Sequence, residues 1–219
     1  MFTMGVYEDL LPQREEVAYF MRRLYNKNLT TCSGGNISLR VADDLALTTP
    51  SALDKGELTA DQVVLVRMNG ENLTPKYRPT IEAGMHLAVL RRRPEMKAVV
   101  HAHPAFATAF ACMDTPLDIG LSSEVFCMVD VIRQAGFAPP GTEELAAYVG
   151  EAMAEADVAL MHNHGVITTG PTLLKAFDLI EVVEVTAKMN FIIKGMGGGR
   201  GLTDEQKQAC NVIFRAGAL

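Results

Sequence analysis

Short apolar runs alternate along this chain with longer segments whose apolar residues recur at helical spacing. Across residues 12–27, Val17, Phe20, Met21 and Leu24 mark one face of a helix, and Pro12 suits an early helical position. A polar glycine segment, Thr30 to Asn36, leads into a strand from Ile37 to Val41. Asp43-Asp44 then reads as a turn and Leu45 to Thr49 as a returning strand, so a hairpin is expected. Gln62 to Met68 reads as another strand. Thr80 to Arg92 predicts a helix capped by Thr80 and stopped before Pro94. Residues 97–102 predict a strand and Ala105 to Met113 a short helix, whereas 114–140 shows no readable period. Pro139-Pro140-Gly141 punctuates the chain before a helix capped by Thr142, with Glu143 and Glu144 in the first turn where the helix dipole favours acids. Strands at 157–162 and 165–169 flank His164. A helix from Pro171 to Ile193 is apolar on nearly every side, which predicts burial or a subunit contact. A glycine-rich linker at 195–201 precedes a terminal helix over 203–216. With no internal repeat and no strong boundary, the pattern predicts one α/β domain over 1–219.

Composition narrows the class. The 219 residues can bury a sizeable core, and 48% hydrophobic with 21% charged is ordinary for a water-soluble globular chain. A net charge of −6 argues against a nucleic-acid-binding surface. Cys32, Cys112, Cys127 and Cys210 are dispersed and form no CxxC, which suits reduced thiols in the cytoplasm. Cys32, beside the glycine segment, is expected to be a small, partly buried residue. Met1 to Asp9 has no basic segment followed by an apolar one, so no signal peptide is read. No apolar run approaches the ~20 residues of a membrane span, because Lys175, Asp178, Glu181, Glu184 and Lys188 interrupt the longest candidate. The expected location is cytoplasmic, away from membranes.

The chemistry sits in three of the five histidines. His101 and His103 follow the apolar run Ala98-Val99-Val100, and alternate strand residues share a face about 6.6–7 Å apart. Two imidazoles so placed can converge on one metal ion at about 2.0–2.1 Å from each nitrogen. A second apolar run, Val158 to Met161, delivers His164 in the same way. A three-histidine site with an open position is a catalyst's arrangement. A lone core histidine usually only packs, but an i,i+2 pair joined by a third from another strand weakens that reading. Glu82 is the candidate carboxylate partner, although alone it reads as an acid complementing a helix dipole. His86, four residues on from Glu82, reads as structural, and His162 as a group standing behind a metal ligand. Ser33-Gly34-Gly35-Asn36 offers backbone N–H groups and a side-chain amide suited to an anion, though it is neither a P-loop nor GxGxxG.

Taken in order, several stretches resemble the class II aldolase/L-ribulose-5-phosphate 4-epimerase family. They are Ser33-Gly34-Gly35-Asn36-Ile37-Ser38, Leu47-Thr48-Thr49-Pro50-Ser51, and Arg78-Pro79-Thr80-Ile81-Glu82 with Met85-His86-Leu87. Val99-Val100-His101-Ala102-His103, Pro140-Gly141-Thr142-Glu143-Glu144-Leu145 and Asn163-His164-Gly165-Val166-Ile167-Thr168 complete the series, which spans residues 12–192. The resemblance implies a three-layer α/β/α fold around a central, mainly antiparallel sheet, assembled as a homotetramer with active sites between subunits. It implies a divalent metal, usually zinc and alternatively manganese or cobalt, held by His101, His103 and His164, with Glu82 as fourth ligand or acid/base. Gly35, Asn36, Ser51 and Thr80 map to phosphate-binding positions. Glu rather than Asp at 82 tilts the expectation from epimerase to aldolase: cleavage of a ketose, in particular a ketose 1-phosphate, to dihydroxyacetone phosphate and an aldehyde. The alternatives are a sugar-acid phosphate decarboxylase, a sugar-phosphate 4-epimerase, and a non-catalytic interaction domain like an adducin head. Ile81 and Ala52 stand where phosphate-using relatives place Ser and Gly, and no tyrosine matches the proton donor of the fuculose enzyme.

Overall fold

A computed structural model describes residues 4–215. Residue 216 of the expected terminal helix and Met1 to Thr3 of the segment read as lacking a signal lie outside the described residues. In chain order the elements are α1 (Met4–Asp9), α2 (Leu11–Asn26), β1 (Asn36–Ala42), β2 (Leu45–Thr48), β3 (Val64–Arg67), α3 (Ala83–Arg92), β4 (Ala98–Ala102) and α4 (Ala105–Ala111). They continue with α5 (Ser123–Met128), β5 (Ile132–Ala135), α6 (Glu143–Ala152), β6 (Val158–Met161), β7 (Gly165–Gly170), α7 (Leu173–Gly195) and α8 (Asp204–Arg215).

The strands form one sheet in the order β3-β2-β1-β4-β7-β6-β5. Each neighbouring pair is antiparallel except β5 and β6, which run parallel. Because alternate strand residues point to opposite faces, the sheet feeds two cores. Ile37, Leu39, Val100, Leu160 and Val166 pack with α2, α4 and α7 through Leu24, Phe110 and Phe177. Val64, Val99, Ala159 and Ile167 pack with α3 and α6 through Leu87, Leu90 and Val149. The result is the expected α/β/α sandwich with a mainly antiparallel sheet. Thr142 caps α6 by accepting the Leu145 N–H at 3.2 Å, and Thr172 caps α7 by accepting the Lys175 N–H at 3.2 Å. The apolar α7 is buried at Ala176, Ile180 and Val183 but exposes Leu174, Val185 and Phe191. Among the described residues, no helix is long and apolar enough to cross a membrane.

Three local expectations need correction. The helix expected from Thr80 begins at Ala83, because Pro79 and Thr80 pair with the Thr49–Ser51 corner and Ile81-Glu82 form a turn before the helix. The Thr80 N–H donates to the Thr49 carbonyl and the Ser51 N–H to the Arg78 carbonyl, each at 2.9 Å. The unreadable stretch 114–140 holds α5 and β5; β5 is an edge strand with only Ala135 fully buried, so it carries no period-2 signal. The short α1 precedes the first helix that the pattern revealed.

Candidate metal centre

Val99 and His101 lie on the β4 face toward α3, while Ala98, Val100 and Ala102 feed the opposite core. The β1–β4 register places Asn36 opposite His101, and the β4–β7 register places Ile167 on its other side. Beyond the strand, the His103 N–H donates to the Leu29 carbonyl at 3.0 Å, which keeps the chain extended beside the glycine segment. His164 occupies the turn between β6 and β7. Asn163 supplies its left-handed residue, with φ 53°, and the His164 N–H donates to the Met161 carbonyl at 3.0 Å. Gly165 is required by close approach: a Cβ there would lie 2.6 Å from the Ala102 carbonyl oxygen and 2.8 Å from His103 Cδ2. The Asn-His-Gly run is thus a turn, one histidine of the cluster and a clearance for the other two.

These elements bring the three rings together. Ring centroids are 4.6 Å apart for His101 and His103, 4.8 Å for His101 and His164, and 5.4 Å for His103 and His164. One nitrogen from each lies within 4.8 Å of the others. Glu82, the residue just before α3, turns away from the helix end and caps nothing. Its Oε1 is 3.2 Å from His164 Nε2 and its Oε2 is 3.6 Å from His101 Nε2. The Asn36 side-chain amide donates to Glu82 Oε2 at 2.8 Å, so the residue expected to face an anion also orients this carboxylate.

The protonation pattern follows from the partners. His101 Nδ1 is 2.9 Å from the Val166 carbonyl, which can only accept, so Nδ1 carries the proton and Nε2 presents its lone pair to the site. His86 is fully buried, with Nδ1 2.9 Å from Ser38 Oγ. Ser38 donates to Thr48 Oγ1 and Thr48 to the Ile37 carbonyl, so the His86 Nδ1–H must be the donor that starts this chain. Burial pushes the His101 imidazole down to about 3 and His86 down to about 4, and it lowers His103 as well. For Glu82, burial alone would raise the carboxyl, but His164, His101 and Asn36 outweigh it and hold it well below the usual carboxylate range. Neutral imidazoles beside an ionised carboxylate are the protonation states a divalent cation needs. Glu82 Oε1, His101 Nε2 and His164 Nδ1 are buried without a hydrogen-bond partner among the described residues, so the donor set fits such an ion.

Gly35, Asn36, Ser51 and Thr80 line the same cleft of about 380 Å³ as His103 and His164. Ser51 Oγ donates to the Pro79 carbonyl at 2.6 Å, and Ile81, 68% exposed, lines the same cleft. His162 stays apart: its N–H binds the Ala135 carbonyl at 3.0 Å, and it is not among the converging groups. Cys32 is exposed rather than partly buried, because its carbonyl, not its side chain, is the part built inward, accepting the Lys55 N–H at 2.8 Å. Lys55 itself is a cleft residue that sequence reasoning passed over. Between Asp54 and Gly56 it looks like a solvated turn lysine, yet it is 2% exposed and its ammonium donates to the Pro50 carbonyl.

The comparisons with known proteins agree with this geometry. A family model described as "Class II Aldolase and Adducin N-terminal domain" matches residues 15–191. A Haemophilus influenzae protein named 3-oxo-tetronate 4-phosphate decarboxylase is 34% identical over 84% of this chain and 90% of its own length. A Methanococcus maripaludis L-fuculose phosphate aldolase is 33% identical over 80% of this chain and 94% of its own. Among solved structures, an L-fuculose 1-phosphate aldolase superposes with TM-score 0.83 at 31% identity, covering 92% of this chain and 95% of that one.

Proposed function

The chain belongs to the class II aldolase and adducin N-terminal domain family, and from that premise we propose that it is a divalent-metal aldolase acting on a ketose 1-phosphate. Its products would be dihydroxyacetone phosphate and an aldehyde. The observation that carries this reading is the convergence of His101, His103 and His164 with Glu82, whose oxygens lie 3.2 and 3.6 Å from two of the imidazole nitrogens. A non-catalytic interaction domain has no use for such a ligand set. His101, His103 and His164 would hold the ion, zinc being the first choice and manganese or cobalt the alternatives, with Glu82 as fourth ligand or proton carrier. When bound, the ion supplies Lewis acidity that draws electron density from the carbonyl next to the breaking carbon–carbon bond.

The chain's own residues do the rest. In the cleavage direction the ionised Glu82 takes the proton of the hydroxyl on the carbon that becomes the aldehyde and passes it to the carbon that the departing aldehyde leaves electron-rich; the synthetic direction reverses both transfers. Asn36 orients Glu82 by bonding Oε2, which leaves Oε1, 3.2 Å from His164 Nε2, as the oxygen for the transfer. The Val166 carbonyl fixes the His101 tautomer. Gly35, Asn36, Ser51 and Thr80 bind the phosphoryl end. A homotetramer in the cytoplasm completes the proposal.

A second reading has its own support. The 34%-identical relative is named a decarboxylase of a phosphorylated sugar acid, and decarboxylation likewise leaves an electron-rich carbon to be protonated. One assay separates the two: purified protein with its metal content measured, incubated with a panel of ketose 1-phosphates and phosphorylated 3-oxo acids. Metal-dependent release of dihydroxyacetone phosphate supports the aldolase; carbon dioxide without it supports the decarboxylase. A metal-free protein that is inert on both panels refutes the enzyme reading.

A further inference from the structure

Lys55 is an unusual residue to find inside this cleft. Its side chain is 2% exposed, and apart from the histidines it and Glu82 are the charged groups of the lining. Its ammonium has three N–H donors. One is given to the Pro50 carbonyl, and no carboxylate among the described ion pairs neutralises it. A buried cation without a counter-charge is costly, and burial pushes the amine down to about 8. The position is built from two sides. The Lys55 N–H donates to the Cys32 carbonyl at 2.8 Å, next to the glycine segment, while the ammonium reaches the Pro50 carbonyl at the start of the Ser51 corner. These are the two segments that carry Gly35, Asn36 and Ser51.

We propose that Lys55 is a substrate-binding residue whose ammonium pairs with the phosphoryl group of the substrate. This rests on the proposed action on a sugar phosphate and deepens it by naming the charge that recognises the phosphate. A full positive charge thereby stands in for the hydroxyl absent at Ile81, and charge-assisted bonds are roughly twice as strong as neutral ones. The anion in turn supplies the counter-charge that the buried ammonium lacks. Specificity follows: a dephosphorylated sugar would leave Lys55 buried and unpaired, so the cleft discriminates against it.

The test is calorimetric titration of the metal-loaded protein with inorganic phosphate, comparing wild type with Lys55→Met and Lys55→Gln. Both variants remove the charge with different shapes, so that one can report if the other folds poorly. The expected result is a loss of phosphate affinity of about ten- to one-hundredfold, with metal content unchanged and a melting temperature equal to or above wild type. A fall in melting temperature with unaltered phosphate affinity would make Lys55 a clamp for the Pro50 carbonyl and overturn the proposal. The two readings fail separately. A protein that cleaves no ketose 1-phosphate yet loses phosphate binding with Lys55 sinks the aldolase reading alone. One that cleaves such substrates while its phosphate affinity is indifferent to Lys55 sinks this inference alone.

Discussion

Acid should weaken the metal-stripped protein well above the range where carboxylates titrate, because two imidazoles are buried neutral. His86 is pushed down to about 4 and His101 to about 3 from an ordinary 6.5. Both folded-state values lie below the unfolded one, so the unfolded chain binds the additional protons and stability falls as pH drops through this window. Between about pH 7 and pH 5 each histidine withdraws about 2 kcal/mol, or about 4 kcal/mol for the pair. Glu82, whose carboxyl is held low, adds its own loss only below its ordinary 4.5 and so lies outside that interval. The assay is urea unfolding in chelator at several pH values, for wild type and for His86→Gln. The glutamine side chain keeps a polar amide at this site but cannot titrate. The variant starts less stable, but its loss between about pH 7 and pH 5 should be about 2 kcal/mol smaller than wild type's. Parallel curves for the two proteins would refute the claim that His86 is buried as a neutral imidazole.

Other outcomes follow from the same structure. Lys55 is depressed from 10.5 to about 8, so the unfolded chain binds the extra proton between those values and stability rises with pH there. Lys55→Met should abolish that rise and stabilise the protein at neutral pH by at most about 3 kcal/mol, read from denaturant midpoints. His103→Ala should remove bound metal and activity together, and elemental analysis showing a full complement of metal would count against its role as ligand. Glu82→Gln should retain most of the metal while lowering kcat by about 10²–10⁴-fold, and wild-type turnover would exclude it as proton carrier. Gly165→Ala forces a Cβ against the Ala102 carbonyl and the His103 ring, so metal affinity should fall although no ligand has changed; an unaltered metal affinity would show that the turn can relax.

Much of the fold was legible in the chain because its signals are local. Short apolar runs marked β1, β2, β4, β6 and β7, and the cap Thr142 and the proline-led α7 announced helices by their own chemistry. Edge strand β5 escaped because Ile132-Arg133-Gln134-Ala135 sets two exposed polar residues side by side and shows no alternation, and its partner β6 lies more than twenty positions away in sequence. The helix near Thr80 was misplaced at its start because pairing with the Thr49–Ser51 corner, a contact across about thirty residues, outweighs a local cap preference. For the site, residue types and spacings singled out His101, His103, His164 and Glu82. Their convergence, however, depends on the β1–β4–β7 register and on the clearance at Gly165, which no local pattern encodes. Asn36 as the orienting group of Glu82, the His86–Ser38–Thr48 hydrogen-bond chain and the buried charge of Lys55 came only from tertiary structure. Burial and hydrogen-bond partnership are properties of what surrounds a side chain, and in each case the surroundings arrive from distant parts of the chain.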